Sequence, residues 1–262
     1  MRVGWIGLGQ MGLAMAACAA RAGHRVVGHT RGNPAHHALV EAGGTLESDA
    51  VAVASGCEIL CINVFTDAQV REVLLDGGVL AAMRPGAILV IHTTGDPALA
   101  AEVGRRAPAN PVLDGAFSGT PQQAIDGTLT IMAGGDAQAF ATARPLFEAY
   151  AAHVAHVGPL GAGMRLKLLN NLLFAANVRL AEAAYALGAA QGFPADTVRD
   201  ILGRCSAASR ALEIIGAGGD VTANAERMRF YTDKDVAVAS AIAENLGLDL
   251  GLVGKVAANC ID

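Results

Sequence analysis

The chain opens with MRVGWIGLGQMG, residues 1–12, and this stretch decides the fold. Val3 to Ile6 is apolar enough for a short buried strand, and Leu13 to Ala22 reads as an alanine-rich helix. Between them, Gly7-Leu8-Gly9-Gln10-Met11-Gly12 spells G-x-G-x-x-G. A phosphate-binding turn needs this order. Gly7 permits the tight turn, Gly9 lets backbone amides approach a pyrophosphate, and Gly12 lets helix and strand pack closely. The helix N-terminus adds unpaired N–H groups and a partial positive charge. In a chain with 32 glycines the hexapeptide alone says little, but its strand–turn–helix setting makes residues 7–12 a cofactor loop.

Outward from the loop, Arg25 to His29 is a second strand. It ends about 18 residues past Gly12, where a cofactor with a free ribose 2′-hydroxyl usually meets Asp or Glu. Here the residues are His29-Thr30-Arg31. Arg31 can pair with a 2′-phosphate, Thr30 can hydrogen-bond it and His29 can help, so NADP is favoured and NAD remains possible. The alternative is that Arg31 is only a solvated loop charge.

Strands and helices then alternate. Pro34 starts a helix to about Ala42, Ser48-Asp49 can cap a short helix, and Glu58 to Val64 is a buried strand. Thr66-Asp67 caps a longer helix, and Ala87 to Ile91 is the next strand. Thr94 and Pro97 open another helix, and Val112 to Phe117 forms a further strand. Leu129 to Ala133 and His153 to Val157 look like later strands, with a helix from Ala137 to Tyr150 between them. The order predicts a doubly wound α/β sheet of Rossmann type with parallel strands and right-handed crossovers. Val64 and Thr94 then fall at the cofactor-facing edge.

The pattern changes at Gly158-Pro159-Leu160-Gly161. No strand is expected beyond it, so the division is 1–158 for the cofactor domain and 159–262 for an all-helical substrate and oligomerisation domain. Met164 to Gln191 is long and alanine-rich, too apolar to be exposed, and predicts the spine of that second domain. Pro194 to Arg204, Ala207 to Ile215 and Asp233 to Leu246 are further helices. The apolar helix also points to a homodimer or homotetramer built on the helical domain.

Lys167 is the main catalytic candidate. It stands one turn into the long helix, with Asn171 four residues on and so on the same face. A partly desolvated lysine can serve as general acid/base, since burial lowers its pKa toward working pH; the alternative is a lysine snorkelling to the surface. After the strand at 112–117, Ser118 and the amides around Gly119 can bind a carboxylate. Thr94 can equally be only an N-cap. Lys234-Asp235, taken alone, reads as a solvated helix face.

Composition narrows the rest. A net charge of −5 with no basic block argues against nucleic acid. Cys18, Cys57, Cys61, Cys205 and Cys260 form no CxxC pair, so no metal is expected and buried free thiols are. No stretch reaches the uninterrupted apolar length of a membrane span and the start is unlike a signal peptide, so the expected setting is cytoplasmic.

Together these pieces resemble the β-hydroxyacid dehydrogenase family, which includes 3-hydroxyisobutyrate and tartronate semialdehyde enzymes and is related to 6-phosphogluconate dehydrogenase. IGLGQMG resembles its cofactor loop, DGAFSGTPQQAIDGTLTIMAGG its substrate segment, GAGMRLKLLNN its catalytic helix and FYTDKDVAVA its late Lys-Asp motif. The resemblance implies hydride transfer between nicotinamide and a small 3-hydroxy acid or its semialdehyde. It implies Lys167 as acid/base, Ser118, Gly119 and Asn171 as substrate ligands, and Thr94 and Lys234 beside the cofactor; Thr120 beside them would narrow the carboxylate pocket or add a hydroxyl contact. Three departures stand out. Thr120 replaces the usual second glycine of the substrate loop and Gln123 a later one, Phe65-Thr66 replaces a proline-containing turn, and the helical domain looks shortened between Ile215 and Phe230. Competing readings are an imine reductase, whose usual lack of the lysine Lys167 argues against, and a non-catalytic dinucleotide-binding protein.

Overall fold

The computed structural model describes residues 1–30 and 37–260. Two compact units emerge, Met1–Lys167 and Leu168–Asp262.

The first unit is an eight-stranded sheet in the order β3-β2-β1-β4-β5-β6-β7-β8. Its strands are β1 (Arg2–Ile6), β2 (Arg25–His29), β3 (Thr45–Leu46), β4 (Ile59–Ile62), β5 (Ile88–Ile91), β6 (Val112–Ser118), β7 (Leu129–Gly135) and β8 (Ala151–Gly158). Its helices are α1 (Gln10–Arg21), α2 (His37–Glu41), α3 (Ala50–Gly56), α4 (Asp67–Arg71), α5 (Val79–Ala82), α6 (Pro97–Arg106), α7 (Pro121–Ile125) and α8 (Ala137–Phe147). A strand points successive side chains to opposite faces, so near-continuous apolar runs imply a sheet covered on both sides. The registers show this. Trp5, Cys61 and Val90 are aligned neighbours in one core cluster, while Ile6, Ile62 and Ile91 are aligned in the other. Cys57 and Cys61 consequently belong to opposite clusters.

Strand order reverses between β1 and β4, the place where a doubly wound sheet opens a crevice for ligand. The all-parallel expectation fails at one point: β7 runs antiparallel to β6. Residues 119–128, which join them, include only the short α7, and a parallel crossover takes about a dozen residues or more. The helix expected to open at Thr94 is capped instead by Asp96, whose Oδ1 accepts from Ala98 N–H at 2.8 Å. Pro34 lies outside the described residues, of which His37–Glu41 form α2.

The long helix α9 runs Ala162–Ala190, beginning in the first unit and continuing into the second. The second unit adds α10 (Ala195–Leu202), α11 (Arg210–Ile215), α12 (Val221–Leu246) and α13 (Gly251–Ala257). Inside it Leu168, Leu172, Ala175 and Ala176 pack with Val236, Ala239, Val256 and Ala257. One level along, Val178, Ala181 and Tyr185 pack with Val198, Leu212 and Ile215. Two expectations are corrected here. The helix expected at 233–246 starts at Val221, where Asp220 caps it through Ala223 N–H at 3.0 Å, so the stretch after Ile215 is largely helical. And α9 is not wholly covered: Leu166, Leu169, Leu173, Leu180 and Leu187 are exposed along it. By length and composition alone α9 is long and apolar enough to cross a membrane. Yet it carries Asn170, Asn171, Asn177, Arg179 and Glu182, and one face packs inside the helical unit.

Candidate active site

The three loop glycines do three different things. Gly7 sits at φ +97° and donates its N–H to the His29 carbonyl at 3.0 Å; a Cβ there would meet the Asn63 carbonyl oxygen. A Cβ on Gly12 would strike the Gly7 carbonyl oxygen, so this glycine fixes the helix against the turn. Around Gly9 there is open space. No side chain caps α1, so the first-turn amides are left for another acceptor. That combination of packed glycines, one open glycine and an uncapped helix start fits a pyrophosphate. Leu8 is buried and anchors the loop, while Gln10 is exposed and Met11 half-buried.

At the end of β2, His29 and Thr30 are half-buried. His29 Nδ1 lies 3.1 Å from the Glu47 carbonyl oxygen, which makes it the donor and leaves Nε2 as the ring's other polar atom. Arg31 lies outside the described residues. Glu47 follows β3. Its carboxylate accepts from Asp49 N–H and the Ser48 hydroxyl, bonds that hold its pKa below the usual range. At the β4 and β5 ends, Thr93 Oγ1 donates to the Val64 carbonyl at 2.9 Å and accepts from Val64 N–H at 3.1 Å, pinning the two strand ends together. Thr94, half-buried, follows directly.

The substrate segment continues β6. Ser118 ends the strand, half-buried, and Gly119 follows at φ +139°, where a Cβ would strike Leu129. Thr120 and Gln123 form a capping box on α7. Thr120 Oγ1 accepts from Gln123 N–H at 3.3 Å, and Gln123 Oε1 accepts from Thr120 N–H at 3.1 Å. The Phe65-Thr66 departure has the same chemistry: Thr66 and Gln69 make a capping box on α4.

Asp114, on β6, is fully buried. Its Oδ1 accepts from Gly161 N–H and its Oδ2 from Met164 N–H, both at 2.6 Å. Burial pushes its carboxyl above the usual carboxylate range, and the two N–H donors pull the other way. Gly95 N–H, one residue past Thr94, donates to Met164 Sδ at 3.3 Å. One turn beyond Met164 stands Lys167, half-buried.

In the helical unit Asn171 is buried and donates through Nδ2 to Asp235 Oδ2, while its own Oδ1 accepts from Asn170 at 2.9 Å. Lys234 Nζ lies 3.7 Å from Asp235 Oδ1. Lys234-Asp235 is therefore not a solvated face: Asp235 is buried, on the apolar side of α12 with Thr232, Val236 and Ala239. The i, i+3, i+4 spacing of those residues was the available signal for it.

Comparisons with known proteins place the chain in a family. The family model described as the NAD binding domain of 6-phosphogluconate dehydrogenase matches residues 2–158. That described as NAD-binding of NADP-dependent 3-hydroxyisobutyrate dehydrogenase matches residues 161–260. An NAD-dependent L-serine dehydrogenase of Pseudomonas aeruginosa is 33% identical over 259 residues, covering 98% of this chain and 85% of its own. An L-threonate dehydrogenase of Escherichia coli is 32% identical over 260 residues, covering 97% and 82%. Among solved structures, a 3-hydroxyisobutyrate dehydrogenase of Mycobacterium tuberculosis with L-serine superposes with a TM-score of 0.82 at 27% identity, covering 98% of this chain and 92% of that one. The chain belongs to the β-hydroxyacid dehydrogenase family and is a nicotinamide-dependent dehydrogenase acting on a CH–OH group.

Proposed function

We propose that the protein interconverts a small 3-hydroxy acid and its carbonyl product with NADP as the preferred cofactor and Lys167 as the general acid/base. A bound nicotinamide supplies the hydride acceptor for oxidation and the hydride donor for reduction. In oxidation the Lys167 amine takes the proton of the substrate hydroxyl; in reduction the ammonium returns a proton to the carbonyl oxygen. Ser118 Oγ and the Gly119 N–H hold the substrate carboxylate, with Thr120 shaping the pocket wall. Asn171, one helical turn beyond Lys167, holds the hydroxyl. Residues 7–12, His29, Thr30, Arg31, Val64, Thr94 and Lys234 serve the cofactor. Residues 1–158 form the cofactor domain and residues 159–262 the substrate and oligomerisation domain.

The observation that carries this reading is the build of the Lys167 helix. Its first turn is held by Asp114 of the strand that ends in Ser118, and by Gly95 next to Thr94. The strand bearing the proposed carboxylate ligands and the loop bearing Thr94 thus both tie to the turn that precedes the amine. The names of the relatives supply the candidates: L-serine, L-threonate and 3-hydroxyisobutyrate, each with NAD and with NADP, followed by nicotinamide absorbance. Turnover of one of these acids, lost in Lys167→Ala, is the expected result; full activity in that variant removes the acid/base role.

A further inference from the structure

α9 begins at Ala162, which makes Gly161 its N-cap and Met164 its third residue. A helix start leaves amides without intrahelical partners, and a glycine cap has no side chain to satisfy them. In a capping box two side chains of the helix itself serve the N-cap and N3 amides. Here a single carboxylate, 47 and 50 residues away in sequence, serves both: Asp114 Oδ1 takes Gly161 N–H and Oδ2 takes Met164 N–H. The approach is close because glycines make room for it. A Cβ on Gly163 would lie 2.2 Å from the Met132 carbonyl oxygen, and one on Gly134 would lie 2.4 Å from Asp114 Oδ1. The same turn is held from a second side by Gly95 N–H on Met164 Sδ.

We propose that Asp114 is a positioning residue for Lys167, acting with Met164 as a second tether to fix the axial placement and rotation of the turn that carries the amine. The inference rests on Lys167 being the acid/base. A carboxylate is required rather than any cap, because both oxygens must accept. Asparagine offers one acceptor oxygen and turns an NH2 toward the other N–H. Displacing a reacting group by about 1 Å costs on the order of 100-fold in rate, so a small shift of this turn is enough to be read in kcat.

The test uses Asp114→Asn and Met164→Leu in the full chain. Lys167 is one of three lysines, with Lys234 and Lys255, so limited acetylation followed by peptide mass spectrometry reads its reactivity without any substrate. Asp114→Asn is expected to lower kcat by about tenfold or more while leaving the dissociation constant for NADPH, read by fluorescence, within about twofold. It is also expected to change the acetylation rate of Lys167 by about threefold or more relative to Lys255. Met164→Leu keeps the Asp114 bonds, which go to backbone, and loses only the sulfur contact; smaller changes in the same two readouts are expected. A lower melting temperature with kcat and Lys167 reactivity unchanged would make Asp114 merely structural and overturn the proposal. If Asp114→Asn does not fold, Met164→Leu decides: an unchanged kcat and an unchanged Lys167 rate sink it. Should Lys167→Ala retain turnover, the acid/base reading fails on its own, while the labelling still reports whether Asp114 sets the geometry of that turn.

Discussion

At the scale of single residues, spacing alone left Lys167 balanced between an acid/base and a snorkelling lysine, and it was the resemblance of GAGMRLKLLNN to the family's catalytic helix that singled it out. Asp114 was not legible, since nothing in DGAFSGT announces that its first carboxylate is spent on amides 47 and 50 residues later. Lys167→Ala should abolish turnover while NADPH binding survives, since no residue of the 7–12 loop is touched; a fluorescence titration beside a rate assay checks both. Arg31→Ala should raise the KM for NADPH far more than for NADH, the loss of a charge-assisted pair with the 2′-phosphate being worth about 1.5–3 kcal/mol. Equal change in both constants would return Arg31 to a solvated charge. His92 gives a third outcome. Buried beneath Thr93, it stacks on Trp5, donates from Nδ1 to the Gly115 carbonyl and lies 3.3 Å from Tyr150 Oη through Nε2. Burial lowers its pKa from 6.5 to about 4. Above pH 6.5 folded and unfolded chains are both neutral there, and nothing is lost. Between pH 6.5 and about 4 only the unfolded chain takes the proton, so stability falls with acidity, by roughly 3 kcal/mol across the window. Urea unfolding of wild type and His92→Gln at pH 7, 5.5 and 4.5 should show a steeper acid loss in wild type; parallel curves would refute it.

At the scale of elements, both loop departures from the family pattern turn out to be helix starts. Thr66-x-x-Gln69 and Thr120-x-x-Gln123 each form a capping box, and the S/T-x-x-E/Q spacing was present in the sequence to be read. In the second box the Thr120 hydroxyl and N–H are both engaged with Gln123. The constraint a proline would impose through its ring is imposed here by two side chain–backbone bonds. Gln123→Ala should therefore cost about 1 kcal/mol of stability, read as a lower urea midpoint at unchanged slope. It also releases the Thr120 N–H toward the substrate loop, so the KM for a carboxylate substrate should move while the KM for NADPH does not. A change confined to the urea midpoint would limit the box to a structural part. The antiparallel β7 was illegible for a related reason. Strand direction depends on what the connection can span, and α7, only Pro121–Ile125, is too short to show a helical period.

At the scale of the whole molecule, the change from sheet to helices was legible because the alternation of short apolar strands with helices stops at Gly158 and only helical stretches follow among the described residues. The length of α12 was not. Its first half, VTANAERMRFY, is polar enough to pass for a loop, and it is stabilised by contacts distant in sequence: Arg229 pairs with Glu182 of α9 at 2.6 Å, and Ala225 packs with Tyr185 and Ile215. The expectation that α9 would be wholly buried failed in an informative way. Leu166, Leu169, Leu173, Leu180 and Leu187 are spaced by three, four, seven and seven residues, which is a heptad stripe, and each is more than 40% exposed in the single chain. Burying a leucine side chain is worth about 1.5–3 kcal/mol, so a seam of them lying against its symmetry mate would outweigh the freedom lost on association. A two-fold pairing of α9 with a second copy satisfies every member at once, since an isologous interface uses the same face twice. Wild-type protein should accordingly run as a dimer or tetramer by light scattering. Leu173→Glu/Leu180→Glu should shift it to monomer with the sheet unit still folded and NADPH still bound. A wild-type monomer, or a double variant whose mass does not change, would mean that the stripe is covered in some other way.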